Sequence, residues 1–190
     1  MTAEPTLILV GGPPRVGKTT VAAQIGGALG CGWTGLDTIR TILKSVLPEL
    51  DAAGAPGEPG SLTREARIFQ PWFEHAARSL YAVHGTYVLE GVGFMPSHVD
   101  ALPEWINRIA VFMGATRFDL ETSLRTAGRN TWLNESPPEM QALVPAWIEG
   151  WSAELRAECE QLGYPFVDIS ELGFDTALHR VVEIVVAAAS

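Results

Sequence analysis

The segment Gly12–Thr19, GPPRVGKT, constrains this chain more than any other. It matches the pattern GxxxxGK[ST], in which glycines let backbone N–H groups converge on phosphate oxygens, a lysine reaches the outer phosphates and a hydroxyl holds Mg²⁺. Such a loop works only between a strand and a helix, and the flanks supply both. Thr6–Val10 (TLILV) reads as a short buried strand, and Thr20–Leu29 (TVAAQIGGAL) as the helix that leaves the loop. The chain has only two lysines, Lys18 and Lys44, so chance is a poor account of one standing at the motif position. The loop is therefore read as a nucleotide site made of Gly12, Pro13, Pro14, Arg15, Val16, Gly17, Lys18, Thr19 and Thr20, with Thr19 as the metal ligand. Pro13 and Pro14 each remove an N–H donor, but at the outer part of the loop, where fewer phosphate contacts are expected. Arg15 either touches phosphate or points outward into solvent.

Four further β-rich runs follow: Trp33–Leu36, Thr86–Leu89, Ile106–Met113 and Pro165–Ile169, with helical patterns between them. Parallel neighbours need long crossovers, so this alternation predicts an α/β fold of three layers, with a five-stranded parallel sheet between helices. Ligands then sit at the carboxyl ends of the strands. Between the second and third strands, PELDAAGAPGEPG (Pro48–Gly60) reads as a mobile loop, and Leu62–Val83 as a helix that Pro71 should kink or restart. Phe69, Trp72 and Phe73 on that helix are either core or a pocket wall. Pro138–Gln161 reads as one long helix with Pro145 near its start.

At 190 residues, with 47% hydrophobic and 18% charged, the expectation is a single domain over residues 1–190, with a substrate-side segment near 48–83 and a lid near 116–136. No apolar run reaches the roughly 18 residues that span a bilayer, and MTAEPTLILV lacks the features of a signal peptide, so a cytoplasmic location away from membranes is expected. A net charge of −9 argues against coating nucleic acid. A small anionic ligand must then rely on local clusters among the 13 Lys and Arg residues. Cys31 and Cys159 are expected to be buried free thiols. Monomer and homodimer are both compatible with the composition.

The strand ends carry the chemical candidates. LDTIR places Asp37 and Arg40 one turn apart: Asp37 is either a helix N-cap or a carboxylate that accepts a proton from a substrate hydroxyl, and Arg40 clamps an anionic substrate. YVLEG delivers Glu90 to the same edge after three apolar residues, a position from which a carboxylate orients Mg²⁺ or activates a nucleophile; Gly91 and Gly93 permit close approach of substrate or backbone. Between Asp37 and Glu90, the base is left open. His98 is expected on an exposed loop. After the fourth strand, GATRFDLETSLRTAGRN holds Arg117, Arg125 and Arg129. Arg125 and Arg129 share a helix face, and Glu121 stands four residues before Arg125. The cluster is either an ordinary helix ion pair or a lid whose guanidinium groups close over the triphosphate. PFVDIS ends the last strand with Asp168 and Ser170, and Glu171–Phe174 is placed to meet a nucleotide base.

With these residues assembled, the chain resembles the P-loop small-molecule and nucleotide kinases of the adenylate kinase-like group. Within it, the chain is similar to 2-phosphoglycerate kinase, zeta-toxin-like kinases and chloramphenicol phosphotransferase. The resemblance implies the P-loop NTPase fold with a helical lid, ATP and Mg²⁺ as cofactors, and transfer of the γ-phosphoryl group to a small-molecule acceptor. It maps the catalytic set onto Lys18, Asp37, Glu90, Arg125 and Arg129, and the acceptor set onto Asp37, Arg40, Glu90 and Gly91. Two alternatives stand beside it: a nucleoside monophosphate kinase using Arg40, Arg64 and Arg67, and an ATP-binding regulatory or toxin-like module with slow hydrolysis.

Overall fold

A computed structural model of the protein describes residues 4–47, 61–126 and 132–189. The Pro48–Gly60 segment and Arg129 lie outside the described residues. Strand β1 (Leu7–Gly11) is followed by α1 (Lys18–Leu29), β2 (Gly32–Gly35), α2 (Leu36–Val46) and α3 (Ser61–His84). Next come β3 (Tyr87–Gly91), α4 (Pro96–Asp100), β4 (Arg108–Gly114) and the short helices α5 (Leu120–Arg125), α6 (Trp132–Glu135) and α7 (Pro138–Gln141). Helix α8 (Val144–Leu162), β5 (Phe166–Asp168), α9 (Ile169–Leu172) and α10 (Phe174–Ala189) complete the order.

The five strands form one all-parallel sheet in the order β2-β3-β1-β4-β5. Side chains alternate across a strand, and β1 shows the consequence for layering. Leu7 and Leu9 enter a core cluster with Ala66 and Phe73 of α3 and Trp151 and Leu155 of α8. Ile8 and Val10 enter another with Val21 and Ile25 of α1 and Leu178 and Val181 of α10. Both faces of the central strand are thus covered, which is why its five residues are all buried and read as a continuous apolar run. The chain leaves β1 through α1 toward the β2 edge, whereas the β3 to β4 connection crosses over β1. The crevice at the carboxyl ends of β1 and β3 is the position at which such sheets take ligands.

One helix expectation is narrowed and another corrected. Helix α3 passes through Pro71 without a restart. Ala66, Phe69, Phe73 and Ala77 bury one stripe of the helix while Pro71 is exposed, so the carbonyl left without its donor faces water. The expected helix over Pro138–Gln161 is two, α7 and α8, and Pro145 occupies the first turn of α8, where its missing N–H has no intrahelical partner to lose. Cys159 is buried and its thiol is pushed up to about 12 by burial and then by Glu158 and Glu160, whereas Cys31 is only half-buried. Among the described residues, no helix is long and apolar enough to cross a membrane.

Candidate active site

The loop between β1 and α1 is shaped by two glycines. Gly12 has φ +153°, and a Cβ there would lie 2.4 Å from the Met113 carbonyl oxygen. Gly17, at φ +93°, caps α1 without a side-chain hydrogen bond, and the first turn of this 12-residue helix holds no acid. Its first N–H groups are left open toward the crevice, with the positive end of the helix behind them. Val16 is buried in the core beneath the loop, and Thr20 is exposed. Lys18 folds back, with Nζ donating to the Pro13 carbonyl at 2.8 Å. Burial lowers its pKa, while Asp37 and Glu90 draw it upward. Arg15, at φ +69°, takes a course neither sequence alternative foresaw: Nε donates to Ser123 Oγ at 3.1 Å and Nη2 to the Ser123 carbonyl at 3.0 Å, tying the loop to α5.

Glu90 stands in register with Val10 on one side and Gly35 on the other, at the same edge of the sheet as the loop. Thr19 Oγ1 donates to its Oε1 at 3.0 Å. Its Oε2 is buried with no hydrogen-bond partner among the described residues. Burial raises the Glu90 pKa, Lys18 lowers it, and Asp37 adds to the rise. A buried carboxylate oxygen without a donor is costly, and its chemistry invites a cation or an ordered water. Gly35, which the sequence reading passed over, is what admits this carboxylate: a Cβ there would lie 2.8 Å from Glu90 Oε1.

Asp37 is not the N-cap of α2, a position Gly35 holds. It sits in the first turn, and its Oδ1 accepts the Val92 N–H at 3.0 Å, tying α2 to the chain after β3. Gly91 is buried beneath Leu36, whose Cβ would be 2.8 Å from a Cβ on the glycine, so this position serves the approach of α2 to β3. Arg40 is ion-paired with Glu65, a buried acid on α3, and Lys44 Nζ lies 3.6 Å from the same carboxylate oxygen. Glu65 went unread in the sequence, although an acid next to the buried Ala66 on an otherwise apolar stripe signals a partner. Beside these residues a narrow cleft opens between α2 and α3, and Phe69, Trp72 and Phe73 all contribute to its wall. Phe73 also stacks on Phe94 at 4.8 Å, so core and pocket wall are the same surface.

On the other side, Arg125 is exposed, with Nη1 3.9 Å from Glu121 Oε1 and Nη2 donating to Thr122 Oγ1 at 3.0 Å. The ordinary helix pair is thus what the structure contains at this residue. Arg117 is exposed as well, and its backbone N–H donates to Ser170 Oγ at 3.2 Å. Asp168 is a buckle between strand ends: it caps α9 through the Ser170 N–H at 2.8 Å, accepts from Thr116 Oγ1 at 2.5 Å and pairs with Arg156 at 2.8 Å. Phe174 lies against the loop, with ring carbons 3.0 and 3.1 Å from a Cβ placed on Gly17. His98 is half-buried in the first turn of α4 rather than exposed on a loop, and burial lowers its pKa, with Arg67 adding to the effect.

Among solved structures, shikimate kinase from Bacteroides thetaiotaomicron superposes with a TM-score of 0.54 at 15% identity, covering 96% of this chain and 99% of that one. A gluconokinase from Sinorhizobium meliloti 1021 gives 0.54 at 16%, covering 99% of each chain. Shikimate kinase from Acinetobacter baumannii, in complex with shikimate, gives 0.53 at 13%, covering 97% of this chain and 94% of that one. The chain has the P-loop kinase fold. No family model and no curated protein sequence matches it. At these identities the likeness speaks for the fold, and the chemistry has to be argued from the site.

Proposed function

We propose that this chain is a single-domain, ATP- and Mg²⁺-dependent kinase that transfers a γ-phosphoryl group to a hydroxyl of a small molecule. The observation that carries the reading is the pair of buried side chains Lys18 and Glu90 beside the exposed Thr19 at the open N-terminus of α1, with Glu90 Oε2 lacking a hydrogen-bond partner among the described residues. Bound there, ATP would supply the transferable phosphoryl group, and Mg²⁺ would offset the phosphate charge. Among the described residues no cluster of three or more His, Cys, Asp or Glu could cage a metal by itself, and the residues that would hold a divalent ion are Thr19 and Glu90.

The roles follow from position. Backbone N–H groups of the loop and the first turn of α1 hold the phosphates, and Lys18 offsets the charge of the outermost one. Glu90, bonded to Thr19, serves the metal side. Asp37 serves the acceptor side. Its Oδ1 is held by Val92, and its other oxygen is committed to no bond among the described residues, so it can take the acceptor's proton as the new oxygen–phosphorus bond forms and ADP leaves. Arg125 is assigned to the developing charge, a role that requires it to leave its exposed pairing with Glu121, which holds it weakly. Arg40, committed to Glu65, is assigned to shaping the acceptor cleft. A coupled assay of ADP formation across a hydroxyl-bearing metabolite panel tests the reading. Turnover that requires Mg²⁺ and an acceptor, and vanishes in Lys18→Ala, is the expected result; undiminished turnover in Lys18→Ala refutes it.

A further inference from the structure

Three residues of the phosphate loop have positive φ: Gly12 at +153°, Arg15 at +69° and Gly17 at +93°. Glycine takes such backbone freely, and a Cβ would in addition crowd Met113 at Gly12 and Leu178 and Phe174 at Gly17. Arg15 is the one residue other than glycine with positive φ among the described residues. A side chain there strains the backbone, and such strain persists only where its surroundings over-determine it. On one side Val16, the next residue, is buried in the core beneath the loop. On the other the half-buried Arg15 side chain crosses to α5, where Nε donates to Ser123 Oγ at 3.1 Å and Nη2 to the Ser123 carbonyl at 3.0 Å.

Two donors of one planar fork thus meet two acceptors of one residue, which fixes the guanidinium in direction as well as distance. Ser123 is itself buried and held, its N–H donating to the Asp119 carbonyl at 3.0 Å while Asp119 caps the same helix through Thr122. Taking the fork to a nucleotide phosphate would deprive the buried Ser123 hydroxyl and carbonyl of this donor, a costly exchange. Left-handed residues within a turn aim successive N–H groups to one side, and such a concavity takes anions. Arg15 and Gly17 stand on either side of Val16, immediately before Lys18. We propose that Arg15 is a positioning residue for the phosphate loop: its fork on Ser123 holds the backbone in the phosphate-receiving form before a nucleotide arrives. Helix α5 braces the nucleotide site in this way, and the phosphates are left to Lys18 and the backbone. The inference rests on the nucleotide-binding part of the reading above and is independent of the acceptor.

The test is calorimetric titration of the whole chain with ADP and Mg²⁺. Arg15→Ala removes the fork and keeps the strain, and should raise Kd by about tenfold, the scale of one strained residue. Arg15→Gly removes fork and strain together, and should bind within about threefold of wild type. Arg15→Lys keeps the charge but neither the fork nor relief of the strain, and should bind as weakly as Arg15→Ala. A direct phosphate contact reverses this order: lysine rescues, glycine fails as alanine does, and that result overturns the proposal. Equal Kd in all four chains overturns it as well. Ser123→Ala should weaken binding in the wild-type chain and add nothing in Arg15→Ala, and full additivity would break the link between the two residues. Should Arg15→Ala fail to fold, the glycine and lysine variants decide. No binding by the wild-type chain overturns this inference and the nucleotide reading together. Binding in the expected order, with no phosphoryl transfer to any acceptor, upholds the brace and refutes the kinase.

Discussion

The two halves of the crevice are built from different materials. The phosphate half consists of a loop, a helix end and two buried side chains, with Lys18 5% exposed and Glu90 3% exposed. Each is fixed by the sheet: Glu90 by its register with Val10 and Gly35, and Lys18 by the loop that follows β1. The acceptor half consists of side chains from α2 and α3, where Asp37 and Arg40 are half-buried and held by partners on other segments. Phosphate is the same in every nucleotide, so its receptor can be backbone and buried charge. An acceptor is particular, and its receptor lies where helix sequence changes without disturbing the sheet.

If that contrast is correct, the largest effect belongs to the phosphate half. Lys18→Ala removes the buried cation and should lower kcat by about 10³-fold or more in the ADP-release assay, on the scale seen when charge stabilisation is lost in phosphoryl transfer. Retention of activity within about tenfold would break the comparison, because the buried half would then carry no chemistry.

Arg125→Ala probes the opposite kind of residue, an exposed one whose only ion pair among the described residues is with Glu121 at 3.9 Å. Its loss should leave the melting temperature unchanged, since exposed pairs contribute little. The same variant should lower kcat by about 10²-fold, the cost of removing one charge-stabilising donor. A fall in melting temperature with unchanged kcat would return Arg125 to a purely structural role.

Gly35→Ala sharpens the contrast within the sheet. The added Cβ would stand 2.8 Å from Glu90 Oε1 and push the carboxylate off Thr19. A displacement of this kind should cost about tenfold to a hundredfold in kcat and raise the Mg²⁺ concentration needed for half-maximal rate. An unaltered Mg²⁺ dependence would show that Glu90 does not serve the metal side.

The phosphate half was legible in the sequence and the acceptor half much less so, for a physical reason. The motif Gly12–Thr19, the apolar strands and the acid ending β3 are local patterns, and local rules place them within one or two residues: β1 and β3 each extend to a glycine, Gly11 and Gly91, beyond the expected end. The ties that set the acceptor half join positions far apart in the chain. Asp37 meets the Val92 amide across 55 positions and Arg40 meets Glu65 across 25. No spacing rule reports such pairs. The same limit explains α3, where the local rule allows a restart at Pro71 and the buried stripe from Ala66 to Ala77 carries a single helix through it.

The smallest effect returns to Glu90 and concerns stability. Burial raises its pKa in the folded chain above the unfolded value. A carboxyl shifted in this direction binds its proton more tightly when folded, so its stabilising contribution is complete below the unfolded pKa and is lost as pH rises through the folded one. Above the unfolded pKa the wild-type chain therefore loses stability by burying this titratable carboxyl, and Glu90→Gln, which does not titrate, loses none. The variant should melt above wild type at pH 7.5, by about 2–4 °C for each kcal/mol in a chain of this size, and the gap should close near pH 4. Its phosphoryl transfer should fall at the same time, because the charge that destabilises the fold is the charge offered to the metal. A variant that melts below wild type by the same margin at both pH values would mean that Glu90 stabilises the fold through its bond to Thr19 more than its buried charge destabilises it, and the strained, functional character given to the phosphate half would have to be withdrawn.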